Sequence, residues 1–385
     1  MAILTTGIPA YGLIDDLPDI QFSKVTIPAL LSIVFNGMTL LEDVKMTPTP
    51  NGVITIYAKQ MIRNMVTLAK PNSCDERLPR LTVRISIPNY GTLTTSGYVI
   101  PGGTNMTGTI SSDWFAKNFL TWQPQTVQTT RTQPQWLAFI PSKAFEKYAI
   151  ISTLYTKDGR QFSQTIHNFA AADEYRQFCT DFASLWEAFC AEKNITPFCY
   201  DVYGKGYRTR NLDPVTATGT KVLQEIIMPN RPFAQRYILR KERFNDICFG
   251  FVNTLGGFDT LLLAGKQSYQ PEGEISSFKT YTEERELLNE YTSVWEANTG
   301  LLESEREARQ FQDFLKGTSR YIYQDGIWRR IIVLEHKIKH YRGEPNSYTF
   351  KYRLADKNEG RFYEREELAP PAFPDQFFSE ITGNF

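Results

Sequence analysis

CFGFVNTLGGFDTLLLAGK, residues 248–266, reads as strand, tight turn, strand. Phe249, Phe251 and Val252 lead in, Asn253 to Gly257 supply the turn, and Phe258 to Leu263 lead out. Asn and Gly tolerate the positive φ that hairpin turns need, and apolar flanks suit a buried sheet. Asn253, Gly256, Gly257 and Asp259 are therefore expected to set the geometry of the turn, with Gly257 at positive φ. The passage offers no nucleophile, general base or metal ligand set, so the most distinctive part of the chain is architectural.

Composition bounds the rest. A chain of 385 residues with a 42% hydrophobic share can bury a substantial core and holds two or three domains. Aromatic residues make up 14%, which tilts the expectation toward strands and contact surfaces. Lys+Arg and Asp+Glu balance at 42 each, so no net charge draws the chain to nucleic acid or an anionic membrane. Cys74, Cys179, Cys190, Cys199 and Cys248 are odd in number and form no CxxC pair. Free thiols are expected, not disulfides or a zinc site. The first twenty residues lack a basic start followed by an apolar run, so no signal peptide is expected. The apolar run Ile27 to Phe35 falls far short of the ~20 residues of a membrane span.

Working outward, the pattern predicts a mainly β, β-rich α+β fold: several β-sandwich-like modules with a few short helices packed on them. Residues 1–20, interrupted by Pro9, Gly12 and Pro18, are expected as an extended arm, and 21–120 as a β-sandwich-like domain. In the latter, strands rich in Val, Ile and Thr alternate with turns such as Asn36-Gly37, and Gln60 to Leu68 is a candidate helix. Residues 121–135, TWQPQTVQTTRTQPQ, read as an extended connector that Trp122 and Trp136 could pin to its neighbours. Residues 136–232 form a second β module. In it Tyr175, Phe178, Phe182, Leu185, Trp186 and Phe189 fall at helical spacing, with Asp173 as N-cap and Asn194 as stop. Residues 233–360 form a third β module, whose helix opens with the capping box Ser304-x-x-Glu307. Residues 361–385 read as an extended tail.

Candidate chemistry is sparse. His336 and His340, four apart, would align as metal ligands on a helix; on the strand expected at Ile331 to Tyr341 they share a face but lie ~13 Å apart. Gly204-Lys205-Gly206-Tyr207-Arg208 lacks the Walker spacing and is expected to be a loop. Asp15-Asp16, Glu283-Glu284 and Glu364 with Glu366-Glu367 sit in polar segments, unlike a glycosidase pair. Arg240-Lys241 with Arg243, and Arg329-Arg330, are expected on solvated faces. No catalytic, cofactor-binding or metal site is expected, and the chain is read as non-enzymatic.

Several short stretches are familiar in their order. They are Leu30 to Phe35 with Asn36-Gly37 and Gly52-Val53-Ile54-Thr55-Ile56, Phe119 to Gln125, Gln133-Pro134-Gln135-Trp136-Leu137, Phe251 to Thr260, and Asn298-Thr299-Gly300-Leu301-Leu302. Over much of residues 25 to 355 this order resembles tailed-phage and prophage virion structural proteins, those likened to distal tail or baseplate proteins. The resemblance implies a homo-oligomeric ring subunit that contacts other tail proteins, is synthesised in the host cytoplasm and resides in the virion. It carries over no catalytic residues. A cell-surface or carbohydrate-binding β-module is the rival expectation, since exposed aromatics could stack on sugars.

Overall fold

The computed structural model describes residues 2–65, 75–104, 112–115, 118–141, 147–170, 174–210, 222–227, 234–279, 284–302, 304–317, 319–341 and 344–355. The fold is mainly β, a β-rich α+β arrangement of several sandwich-like sheets with a few short helices. The expected tail and the Asp173 cap lie outside the described residues.

The N-terminal part packs a five-stranded sheet on a three-stranded one. The larger runs Tyr11–Leu13, Gly91–Ile100, Arg80–Ile87, Ala29–Phe35, Met38–Met46; the smaller runs Ile3–Thr6, Ile20–Ser23, Ile54–Ile56. Alternation explains the layer between them: Leu31, Ile33, Phe35 and Val83, Ile85 are buried, while Leu30 and Arg84 are exposed. Asn36 (φ 48°) and Gly37 (φ 82°) turn the chain with positive φ at both positions, the two-residue hairpin geometry their sequence signals. Residues 3–6 and 11–13, expected within an extended arm, are extended and pair with the N-terminal module, and Tyr11 and Leu13 are buried. Of the candidate helix over 60–68, the described residues show a short one at Ala58–Ile62, and 66–68 lie outside them.

A six-stranded sheet follows, ordered Thr126–Thr129, Ala234–Leu239, Pro197–Arg210, Lys147–Thr156, Gln161–Ala170, with Val222–Ile227 also paired to Pro197–Arg210. Two expectations are corrected here. Gly204 to Arg208 is not a loop but the middle of a strand, with Gly204 opposite Ile150 and Gly206 opposite Tyr148. Both glycines are buried, and Tyr148 and Ile150 belong to the core beside them, so large cross-strand neighbours occupy space that the glycines leave. Nor does one helix run from Tyr175 to Phe189. Glu174–Cys179 is a strand, paired to Trp136–Phe139 on one side and Asp75–Arg77 on the other. Helical turns occupy only 183–193, beginning where the Asp181 carboxylate accepts the Ser184 N–H at 2.7 Å and ending at Asn194 (φ 51°). The helical spacing of six aromatic and aliphatic residues was produced by a buried strand running into a helix.

The C-terminal sheet has seven strands: Phe258–Leu263, Ile247–Val252, Arg320–Gln324, Ile327–Lys337, Thr349–Leu354, Glu284–Asn298, Gln267–Lys279. The helix Glu305–Lys316 covers one face. Ala308, Phe311 and Phe314 supply its buried stripe, and the rings of Phe249, Phe314 and Phe350 lie 5.4–5.8 Å apart. Edge-on ring packing of this kind adds about 1 kcal/mol per pair beyond area burial. The capping box is formed: Ser304 Oγ accepts the Glu307 N–H at 3.2 Å and Glu307 accepts the Ser304 N–H at 3.3 Å. Ser304→Ala is expected to cost about 1 kcal/mol in urea unfolding; no change in midpoint would mean the helix start is held by packing alone.

Candidate functional site

The turn at residues 253–257 is the junction of the molecule. Asn253, 2% exposed, folds it: its Oδ1 accepts the N–H groups of Leu255 (2.9 Å) and Gly257 (3.0 Å). Its Nδ2 donates to Leu120 O, just before the connector, at 2.8 Å. The Gly103 N–H donates to Thr254 O at 2.8 Å, and the Trp122 indole N–H to Thr254 Oγ1 at 2.8 Å. Around these bonds lies an apolar cluster shared by the three modules, including Leu13, Ile100, Phe115, Leu120, Ile140, Tyr175, Leu255 and Phe258. The connector is itself buried at Gln123, Thr129, Gln133 and Gln135, and Gln135 accepts from Thr260 Oγ1 at 2.6 Å.

The four residues expected to shape the turn thus meet at the junction, with two revisions. Positive φ belongs to Gly256 (84°), not to Gly257. Gly257 is required for another reason: a Cβ there would stand 2.0 Å from Leu120 O. Asp259 is not in the turn; it is the second residue of the strand Phe258–Leu263 and is 1% exposed. Its Oδ2 accepts the Trp122 N–H at 3.3 Å. Burial pushes its carboxyl up to about 7, against opposing contributions from Thr121, Asn253 and Trp122, and the Asp313 charge adds to the rise. Asp313, on the helix, accepts the Thr254 N–H at 3.0 Å and is also raised, chiefly by burial. Sequence reasoning passed over this buried carboxylate pair. The available signal was an aspartate inside the apolar runs FDTLLL and FQDFL.

The other candidates disperse. His336 sits near the end of the strand Ile327–Lys337, whereas His340 lies beyond it, bonded through Nδ1 to Tyr348 OH (2.7 Å) and facing Glu305 (3.3 Å). Arg240 is not solvated: it makes a two-point pair with Asp246 at 2.7 Å, its side chain 15% and that of Asp246 4% exposed. Arg329 and Arg330 are exposed. Burial raises the thiols of Cys179, to about 12, and of Cys190, Cys199 and Cys248, which keeps them protonated at neutral pH. Cys74, Glu283 and the 364–367 acids lie outside the described residues. Among the described residues no group of three or more His, Cys, Asp or Glu side chains is placed to hold a metal ion. No helix among them is long and apolar enough to cross a membrane.

Two surface features bear on function. One is a cleft of about 290 Å³ where Trp114, Trp122, Gln125, Arg306 and Arg309 meet. The other is the hairpin Gln267–Lys279/Glu284–Asn298. The strand Thr349–Leu354 pairs with it only at Trp295–Asn298. From Gln270↔Val294 to Lys279↔Glu284 its two strands pair with each other and with no third strand among the described residues. That is a two-stranded arm of roughly 30 Å. Pro271 stands in its outer strand, where the missing N–H interrupts no ladder.

Compared with known proteins, the chain matches no family model and none of the curated proteins.

Proposed function

We propose that this chain is a non-enzymatic structural subunit that assembles with copies of itself into a ring in a phage-like tail or baseplate. The observation that carries the subunit role is the two-stranded arm. Among the described residues this hairpin has no third strand beyond Gln270↔Val294, and a two-stranded hairpin is marginal in water with sheet edges open to pairing. A neighbouring chain that covers it resolves both problems. The rigid junction supports the same role, because a subunit that transmits force needs its modules fixed to one another. The location in a tail or baseplate of a virion rests on the resemblance of residues 25 to 355 to tailed-phage structural proteins. In a ring each subunit offers two different surfaces, one to each neighbour. The chain, imaged alone and with tail-tube protein, is expected to form closed rings that seat on the tube end. Particles that never close and never bind the tube would remove the tail assignment.

A second reading draws on the cleft. Indole rings beside amide and guanidinium groups suit a saccharide, with Trp114 and Trp122 as walls and Gln125, Arg306 and Arg309 as donors. Glycan-array binding with a clear preference, lost in Trp122→Ala, would favour a carbohydrate-binding module.

A further inference from the structure

The strand next but one to the arm carries an unusual surface. Among the described residues, Ile327 (58% exposed), Ile332 (39%), Leu334 (47%), Ile338 (37%) and Tyr341 (46%) expose large apolar side chains within fifteen residues. Ile332 lies directly opposite Arg353, and Arg330 precedes it by two, so the three share one face of the sheet. Ile331 and Tyr352, on the opposite face, are buried against the helix. Arg330, Arg353 and Lys337 are exposed and face no carboxylate within ion-pair distance among the described residues. The stretch from Ile327 to Tyr341 holds four Lys and Arg residues and one acid, Glu335.

The arm has the opposite charge. Its unaccompanied strands, 271–279 and 284–293, hold Glu272, Glu274, Glu284, Glu286 and Glu290 against Lys279 and Arg285. The register sets Glu274 directly opposite Glu290. Like charges facing each other across a ladder destabilise a hairpin left in water, and cations laid beside them remove the conflict. An electrically neutral chain that segregates an acidic arm from a basic apolar strip is complementary to its own copies.

We propose that the acidic arm of one copy lies on the Ile327–Lys337 strand of the next, over the basic and apolar surface that Arg330, Arg353, Lys337, Ile332 and Leu334 expose. This rests on the subunit reading above and names its contact. The occupant is a second copy, because the complementary charge, the exposed apolar strip and a hairpin with no third strand among the described residues all belong to this chain. Such a contact is heterologous, using different surfaces on the two partners, and closes into a ring when the rotation permits.

The test is a charge exchange, read by light scattering on the full chain at low salt. Arg330→Glu with Arg353→Glu, and separately Glu274→Arg with Glu290→Arg, are each expected to weaken self-association by about tenfold or more. All four together are expected to restore it to within about threefold of the native chain, since opposite charges then meet again. The positions on the strip are exposed, and unchanged near-ultraviolet circular dichroism would show each variant folded. Assembly that ignores both reversals, or reversals that the fourfold variant fails to rescue, would overturn the docking while leaving the subunit reading intact. A native chain that never leaves the monomer would instead remove the subunit reading, and the docking with it.

Discussion

Gly257→Val is expected to leave almost no folded protein, with a loss above about 4 kcal/mol, a large part of the stability of an ordinary domain. The reason is contact, not backbone conformation. A Cβ at Gly257 would sit 2.0 Å from the Leu120 carbonyl oxygen, and Gly256 is equally confined, 2.5 Å from Pro101 O. Neither obstacle is the end of a flexible side chain; both are backbone from other parts of the molecule. Moving them breaks the Asn253–Leu120 and Gly103–Thr254 hydrogen bonds and opens the apolar cluster beneath. Alanine already carries the offending atom, so Gly257→Ala is expected to fail nearly as badly. Gly159 is the control. It has positive φ (84°) but open space around it, and Gly159→Asn is expected to cost less than about 1 kcal/mol. Soluble expression and urea unfolding of the three variants decide the matter; a Gly257→Ala chain as stable as the native one would show that the turn does not hold the modules together.

The second large effect is a pH dependence. Asp259 has an ordinary value of 3.8 when exposed and about 7 in the folded chain. Between those values the folded state holds the proton that the unfolded state has lost. Stability is therefore fullest below about pH 4 with respect to this group and falls as pH rises toward 7, then levels off. A shift of roughly three units corresponds to at most about 4 kcal/mol. Asp259→Asn cannot ionise and keeps an oxygen to accept the Trp122 N–H. It is expected to exceed the native chain by about 2 kcal/mol at pH 8 and to match it near pH 4, where the carboxyl is already neutral. Asp313 is raised in the same direction, so a shallower slope of the same sign should persist in the variant. Parallel stability curves for the two proteins from pH 4 to 8 would mean that Asp259 is ionised in the folded state.

Local chemistry was the legible part of this chain. Asn36-Gly37 supplies the two positive φ values that its hairpin requires, and Ser304 with Glu307 closes its capping box. Each of these is decided within four residues. What sequence alone misread was decided far away. Tyr175 and Phe178 match a helix as well as a strand, and the outcome depends on partners at Trp136–Phe139 and Asp75–Arg77. Gly204 and Gly206 resemble a loop until Tyr148 and Ile150 stand opposite them. Gly257 was expected to matter through positive φ, whereas the structure confines it by contact, because the Leu120 carbonyl that it meets lies 137 positions earlier in the chain. Asp259 gave only the signal of an acid among Phe and Leu, which does not announce whether it is paired, exposed or buried. The arm and its strip were likewise hidden, since both consist of ordinary amphipathic strands until the topology shows which lack neighbours.

The most direct test of the account is the mass of the native chain in solution across a concentration series. A subunit that covers its arm with a neighbour is expected at a discrete multiple of 44.2 kDa, with association weakening as salt rises. A single species at 44.2 kDa at every concentration and at low salt would contradict it.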